Sequence, residues 1–97
     1  MPMYINLVRW TDLGIKNIKE APQRIDAFKK AVEAAGGKLN GFYFTMGKYD
    51  IVTIIDVPSD EAYANVVLST ASKGSIRTET MKAFTEAQFR SIVAKIQ

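Results

Sequence analysis

The chain has 97 residues, 47% of them hydrophobic and 24% charged, near the low end of the size at which a chain buries a core without disulfides, metals or partners. It contains no cysteine and no histidine, which removes zinc sites, thiol nucleophiles, histidine triads and a haem held by a proximal histidine. The net charge of +3 is spread along the chain among ten acidic residues, which argues against a nucleic-acid surface, and no apolar run approaches the ~20 residues that span a bilayer.

Asp, Glu, Tyr, Lys and Arg are therefore the only side chains left for acid–base work, and neither a cofactor nor a metal is expected. The N-terminus alternates like a strand and lacks a basic region followed by a continuous apolar run, so no signal peptide is read and the cytoplasm is the expected location. The whole chain, 1–97, reads as one domain.

Met3 to Trp10 alternates, with Met3, Ile5 and Leu7 on one side and Tyr4, Asn6, Val8 and Trp10 on the other, which predicts a first strand. Thr11-Asp12-Leu13-Gly14 breaks the pattern as a turn in which Gly14 could supply a positive φ, and Ile15 to Glu20 can hold a short helical turn. Pro22 suits the first turn of a helix. From there Ile25, Phe28, Val32 and Ala35 recur at helical spacing, and Gly36-Gly37 provides the stop.

Lys38 to Met46 and Tyr49 to Val57 read as a hairpin reversed at Gly47-Lys48. A two-residue loop there sets Met46 opposite Tyr49, Phe44 opposite Ile51 and Phe42 opposite Thr53. This register places Phe42, Phe44, Ile51, Ile55, Val57 and Tyr49 on a helix-covered core side, and Tyr43, Thr45, Asp50, Val52 and Ile54 on the other. Ser59 is a good N-cap for a second helix, with Asp60 and Glu61 in its first turn and Gly74 at its close. Ser75 to Phe84 predicts a fourth strand, polar enough for a sheet edge. Thr85 and Gln88 form a capping-box pattern ahead of Phe89, Ile92, Val93 and Ile96, which predicts a short C-terminal helix whose stripe must pack on this subunit's sheet or on a neighbour.

The element order strand, helix, strand, strand, helix, strand is the split βαβ plan of an α+β, ferredoxin-like βαββαβ antiparallel sheet with both helices on one face. The leftover face is expected to carry Tyr4, Val8, Trp10, Tyr43, Val52 and Ile54, more apolar surface than a monomer leaves wet, and a second sheet would cover it.

Leu13-Gly14-Ile15-Lys16-Asn17-Ile18 leading to Pro22-Gln23-Arg24, then Gly47-Lys48-Tyr49-Asp50, then Arg77-Thr78-Glu79-Thr80 before Phe84-Thr85, resembles the GYD family of small bacterial and archaeal proteins, named for its Gly-x-Tyr-Asp motif. The resemblance covers nearly the whole chain. It implies a ferredoxin-like domain pairing into a dimeric α+β barrel, two sheets packed around a central space. It implies no reaction: relatives by fold include cofactor-independent monooxygenases, lactone isomerases and ligand-sensing domains of transcription regulators.

Between two such sheets the expected lining is Asn6, Trp10, Tyr43, Thr45 and Asp50. Burial beside aromatic rings would raise the Asp50 pKa and suit it to general acid or base work, with Arg24 or Arg77 anchoring a carboxylate substrate. The structural alternatives stand beside this: an Asp next to a hairpin accepts backbone N–H groups, an Arg nearby pairs with it, and Trp10 fills a subunit interface. RNA-recognition domains share the strand order, but Lys48 to Thr53 lacks their Gly- and aromatic-rich third-strand motif and places an anionic Asp on a phosphate path. Three functions follow in order: a homo-oligomeric protein, dimer or higher, that binds a small organic molecule of open specificity, anionic or not, or has a regulatory role; a cofactor-independent monooxygenase or isomerase using Asp50; and an assembly protein with a packed interior. A membrane or nucleic-acid partner is not expected.

Overall fold

Alternating side chains in four stretches build one antiparallel sheet in the computed structural model, which describes residues 1–97. Strands β1 (Met3–Trp10), β2 (Lys38–Phe44), β3 (Ile51–Asp56) and β4 (Ile76–Ala83) lie in the order β2-β3-β1-β4, with β4 on an edge as its polar composition requires. A short helix α1 (Asp12–Lys16) and a 3-10 turn (Ile18–Glu20) lead into α2 (Ala21–Ala34). Helix α3 (Asp60–Ala71) joins β3 to β4, and α4 (Glu86–Ala94) ends the chain. This is a ferredoxin-like α+β fold with one sheet face covered by α2 and α3.

The helix boundaries follow from local chemistry. The Thr11 and Ser59 hydroxyls accept the Gly14 and Ala62 amides at 3.1 and 3.2 Å, and Thr85 and Gln88 complete their reciprocal box. Gly36 and Gly74 adopt φ of 82° and 86°, the left-handed stops after α2 and α3. Gly14 does not have a positive φ; it lies inside α1, and its lack of a side chain serves a close approach to β4 described below.

The first strand faces the helices with the opposite side from the one expected. Tyr4, Asn6 and Val8 are buried and pair in register with Ile55, Thr53 and Ile51, while Met3, Ile5 and Leu7 share the open face with Val52 and Ile54. Tyr4, Val8 and Trp10 therefore do not belong to the leftover face. Both sides of this strand are apolar, so alternation fixes the period but not its sign. The sign comes from a tyrosine pair: the Tyr4 ring stacks on Tyr63 with centroids 4.1 Å apart, its hydroxyl donates to Asp60 in the first turn of α3, and the Tyr63 hydroxyl meets Thr80 at 2.7 Å. An amphipathic ring with a polar tip suits the seam between sheet and helix better than an aliphatic chain does. With Val32, Ile55, Val57 and Val66, these tyrosines form the core.

The hairpin register is as expected, Phe44 with Ile51, Tyr43 with Val52 and Phe42 with Thr53, but its turn is wider. The ladder stops at Phe44 and Ile51, Thr45 N–H still reaches the Asp50 carbonyl at 2.7 Å, and Gly47 has no positive φ, so no primed two-residue turn forms. A bulge between Leu39 and Gly41 displaces Asn40, whose amide binds Asp56 at 2.6 Å. Tyr49 is not on the core side opposite Met46. It reaches across the open face, donates to Glu79 at 2.8 Å and lies under the Arg9 guanidinium, 4.7 Å from the ring centre. Helix α4 exposes its stripe, Phe89, Ile92 and Val93, and Ile96 just beyond it is exposed as well, so this subunit's sheet does not cover them.

The Tyr4–Asp60 contact ties stability to pH at both ends. Hydrogen bonds from Tyr4 and then Lys82 hold the Asp60 carboxyl below its usual range, so it stabilises the fold above the unfolded carboxylate pKa of about 4 and that contribution is lost as pH falls through the folded value. Burial, then the Asp60 bond, pushes Tyr4 up to about 12, so its contribution is present below pH 10.0 and lost as pH rises through 12. In urea unfolding across a pH series, Asp60→Asn is expected to lose neutral-pH stability and to flatten the acid limb. An unchanged acid limb would show that the contact carries no linkage.

Candidate functional site

Helices α2 and α3 pack the core over the Tyr4 end of the sheet and leave a cavity toward its Trp10 end. Near the packed end α2 presents Val32, and α3 presents Tyr63 and Val66. Toward the other end α2 offers Ala21 and Ala27 beside Ile25 and Phe28, and α3 offers the small Ser69 and Thr70, which leave a gap. The result is a cavity of about 280 Å³ between sheet and helices.

Its walls are apolar: Val8, Phe42 and Ile51 from the sheet, Ile25 and Phe28 from α2. On its floor lie Asn6 and Thr53, direct neighbours across the β1–β3 ladder and each only 2% exposed. Neither Asn6 Oδ1 nor Thr53 Oγ1 has a hydrogen-bond partner in the protein. Buried polar atoms are nearly always paired, and leaving one unpaired costs roughly 1–3 kcal/mol, so two orphans side by side at the bottom of a cavity call for an explanation.

The mouth is built by the segment that precedes α2. Gly14 packs so closely on the start of β4 that a Cβ there would overlap the Ser75 carbonyl, and Thr11 N–H donates to that carbonyl at 3.0 Å. Arg24 then ties α1 to α2: its guanidinium donates to the carbonyls of Asn17 at 3.0 Å and Gly14 at 3.3 Å, with the Glu20 carboxylate 3.9 Å away. Trp10, Gln23, Lys73 and Ile76 complete the rim. The side chain of Lys73 forms no ion pair.

Of the residues expected at the site, Asn6, Trp10 and Arg24 come together here, on the helix side of the sheet. The others lie elsewhere. Tyr43 and Arg77 belong to the open face, where Arg77 stands opposite Arg9 across the β1–β4 ladder. The Thr45 hydroxyl donates to the Tyr49 carbonyl at 2.6 Å. Asp50 secures main chain: its carboxylate accepts the Trp10 N–H at 3.0 Å and its own N–H donates to the Val8 carbonyl at 2.8 Å. On the open face, hydrogen bonding to Glu79 raises the Tyr49 pKa. No three carboxylates gather closely enough to hold a metal ion.

Thr53, Gln23 and Lys73 were not anticipated. A signal for Thr53 exists, since it is the one polar residue in Ile51-Val52-Thr53-Ile54-Ile55, as Asn6 is in Met3 to Val8. Their meeting depends on which strands are neighbours, which neither segment records.

Known proteins resemble this chain in sequence and in shape. The family model described as the GYD domain matches residues 4–93. A Thermus thermophilus protein called glutamine synthetase and cystathionine beta-lyase binding protein is 31% identical over 84 residues, 86% of this chain and 88% of that one. A feast or famine regulatory protein from M. tuberculosis, solved in complex with L-methionine, has the same fold at a TM-score of 0.66 and 14% identity over 88% of this chain. The alignment covers 51% of that regulator, so the present chain spans about half its length. A crystal structure of a T. thermophilus protein gives a TM-score of 0.55 at 23% identity, covering 88% of this chain and 95% of that one. The two structural likenesses establish the fold. The family match, nearly end to end, together with the Thermus relative, establishes that the chain belongs to the GYD domain family.

Proposed function

We propose that this protein is a homo-oligomeric small-molecule binding or regulatory protein whose ligand occupies the cavity between the sheet and helices α2 and α3. The observation that carries this reading is the orphaned pair on the cavity floor, Asn6 Oδ1 and Thr53 Oγ1. A ligand that hydrogen-bonds to them would supply the partners that the protein itself does not. Two comparisons support a binding or regulatory role. The Thermus relative is named for binding two enzymes, and the structurally similar regulator was solved with an amino acid. Catalysis is the weaker reading, because no Asp, Glu, Tyr, His or Cys lines the cavity and Lys73 at its rim is the one lining side chain able to exchange a proton.

The oligomer is inferred from what is left uncovered. Met3, Ile5, Leu7, Val52 and Ile54 share the open face, and the exposed stripe of α4 follows directly from edge strand β4. A second copy of the chain would supply a matching face and take these half-buried side chains and the α4 stripe out of water.

Two measurements test these proposals. Thr53→Val keeps the side-chain shape and deletes the orphan, so it is expected to stabilise the protein by about 1 kcal/mol, a rise of roughly 4–8 °C in Tm for a chain of this length. A lower Tm would mean that the hydroxyl already has a partner, and the observation behind the binding reading would fall. Native mass spectrometry of the assembly is expected to report at least two subunits. A monomer at micromolar concentration would overturn the oligomer.

A further inference from the structure

The cavity changes chemical character along its length. Asn6 and Thr53 mark the inner end at mid-sheet; Trp10, Ile76 and Lys73 mark the outer end, where β1 finishes, β4 begins and α3 has just ended. Four residues of strand separate Asn6 from Trp10, about 13 Å at the rise of an extended chain. The stretch between is walled by Val8, Ile51 and Phe28.

Each end selects a different group. The inner end offers a carboxamide and a hydroxyl, both neutral and both able to donate or accept, with no charged side chain beside them. A charged group taken there would lose its water without gaining a counter-charge, so the inner end suits a neutral hydroxyl. At the outer end the only charged lining residues are Arg24 and Lys73, both cationic. Arg24 is engaged with the Gly14 and Asn17 carbonyls, which leaves the Lys73 ammonium free for an anion at the water's edge. The volume of about 280 Å³ amounts to on the order of ten water-sized units, room for a molecule of about ten non-hydrogen atoms.

We infer that the cavity takes an elongated organic acid with a neutral hydroxyl at one end, a carboxylate at the other and an apolar ring or chain between. The hydroxyl bonds to Asn6 and Thr53, and the carboxylate pairs with Lys73 at the mouth. The inference rests on the reading above that this cavity binds a small molecule, and it adds which kind.

Four probes separate the two claims: para-hydroxyphenylacetate carries both groups, phenylacetate only the acid, para-ethylphenol only the hydroxyl, and ethylbenzene neither. Binding to the full chain is measured by calorimetry and by the emission of Trp10, the only tryptophan, which stands at the mouth. The hydroxy acid is expected to bind about tenfold more tightly than phenylacetate. It is expected to bind several-fold, about two to five times, more tightly than para-ethylphenol, since the exposed ammonium contributes less. Thr53→Val should erase most of the first preference and Lys73→Gln the second; both changes are mild enough to keep the fold. If ethylbenzene binds as well as the hydroxy acid, or the hydroxyl preference survives Thr53→Val, the ligand class is wrong while the cavity remains a binding site. If none of the four binds, the binding reading falls and this inference with it.

Discussion

Six side chains reach the helices because β1 pairs with β3 in one register: Tyr4 beside Ile55, Asn6 beside Thr53, Val8 beside Ile51. Side chains alternate along a strand, so a slip of one residue would exchange the β1 set for Met3, Ile5 and Leu7 and carry Asn6 to the opposite face. Asp50 holds the register at the open end. Its N–H bonds the Val8 carbonyl and its carboxylate accepts the Trp10 N–H, an acceptor placed where the β3 ladder itself has ended. A carboxylate bonded to a backbone N–H is a strong, charge-assisted contact, well suited to fixing the strand that bears the cavity floor.

The same end of the molecule is where packing is thinnest. Only 11 of the 97 residues are buried, and the apolar ones cluster mainly under the first half of α3 and the last turns of α2. Filling the Trp10 end would have needed larger side chains in place of Ala21 and Ala27 on α2 and of Ser69 and Thr70 on α3. Small residues there, and two polar residues below them, lower stability relative to a packed core. Such a concentration of locally unfavourable choices is the pattern expected where function competes with folding. The mouth shows the opposite design: Gly14 is packed tightly against Ser75 and Arg24 is bonded to two carbonyls.

Most of the fold could be read from the chain because its signals are local. Thr11, Ser59 and Thr85 act through amides three residues away, Gly36 and Gly74 through their own φ, and the Phe44–Ile51 register follows from the residues on either side of one hairpin. The errors arose where the deciding partner is distant in sequence. Tyr4 faces the helices because of Tyr63 and Asp60, and Tyr49 faces outward because of Arg9 and Glu79. Neither partner can be known before the sheet order is. The site was partly legible for the same reason: Asn6, Trp10 and Arg24 stand out as residue types, but the cavity that joins them appears only when α2 and α3 are laid on the sheet.

The Gly47-Lys48-Tyr49-Asp50 motif joins the two faces of the sheet. Asp50 anchors the end of the strand that carries Asn6, while its neighbour Tyr49 crosses the open face to Glu79 beneath Arg9. The cavity and the open face therefore share β1 and β3: the backbone that holds Asn6 and Thr53 inward holds Ile5, Leu7, Val52 and Ile54 outward. Alternate residues ride on one chain, so a movement of these strands at the floor would also move those outward side chains. A partner packed on the open face would meet that displacement directly, with no intervening layer to absorb it, since packed contacts respond to shifts much smaller than a side chain.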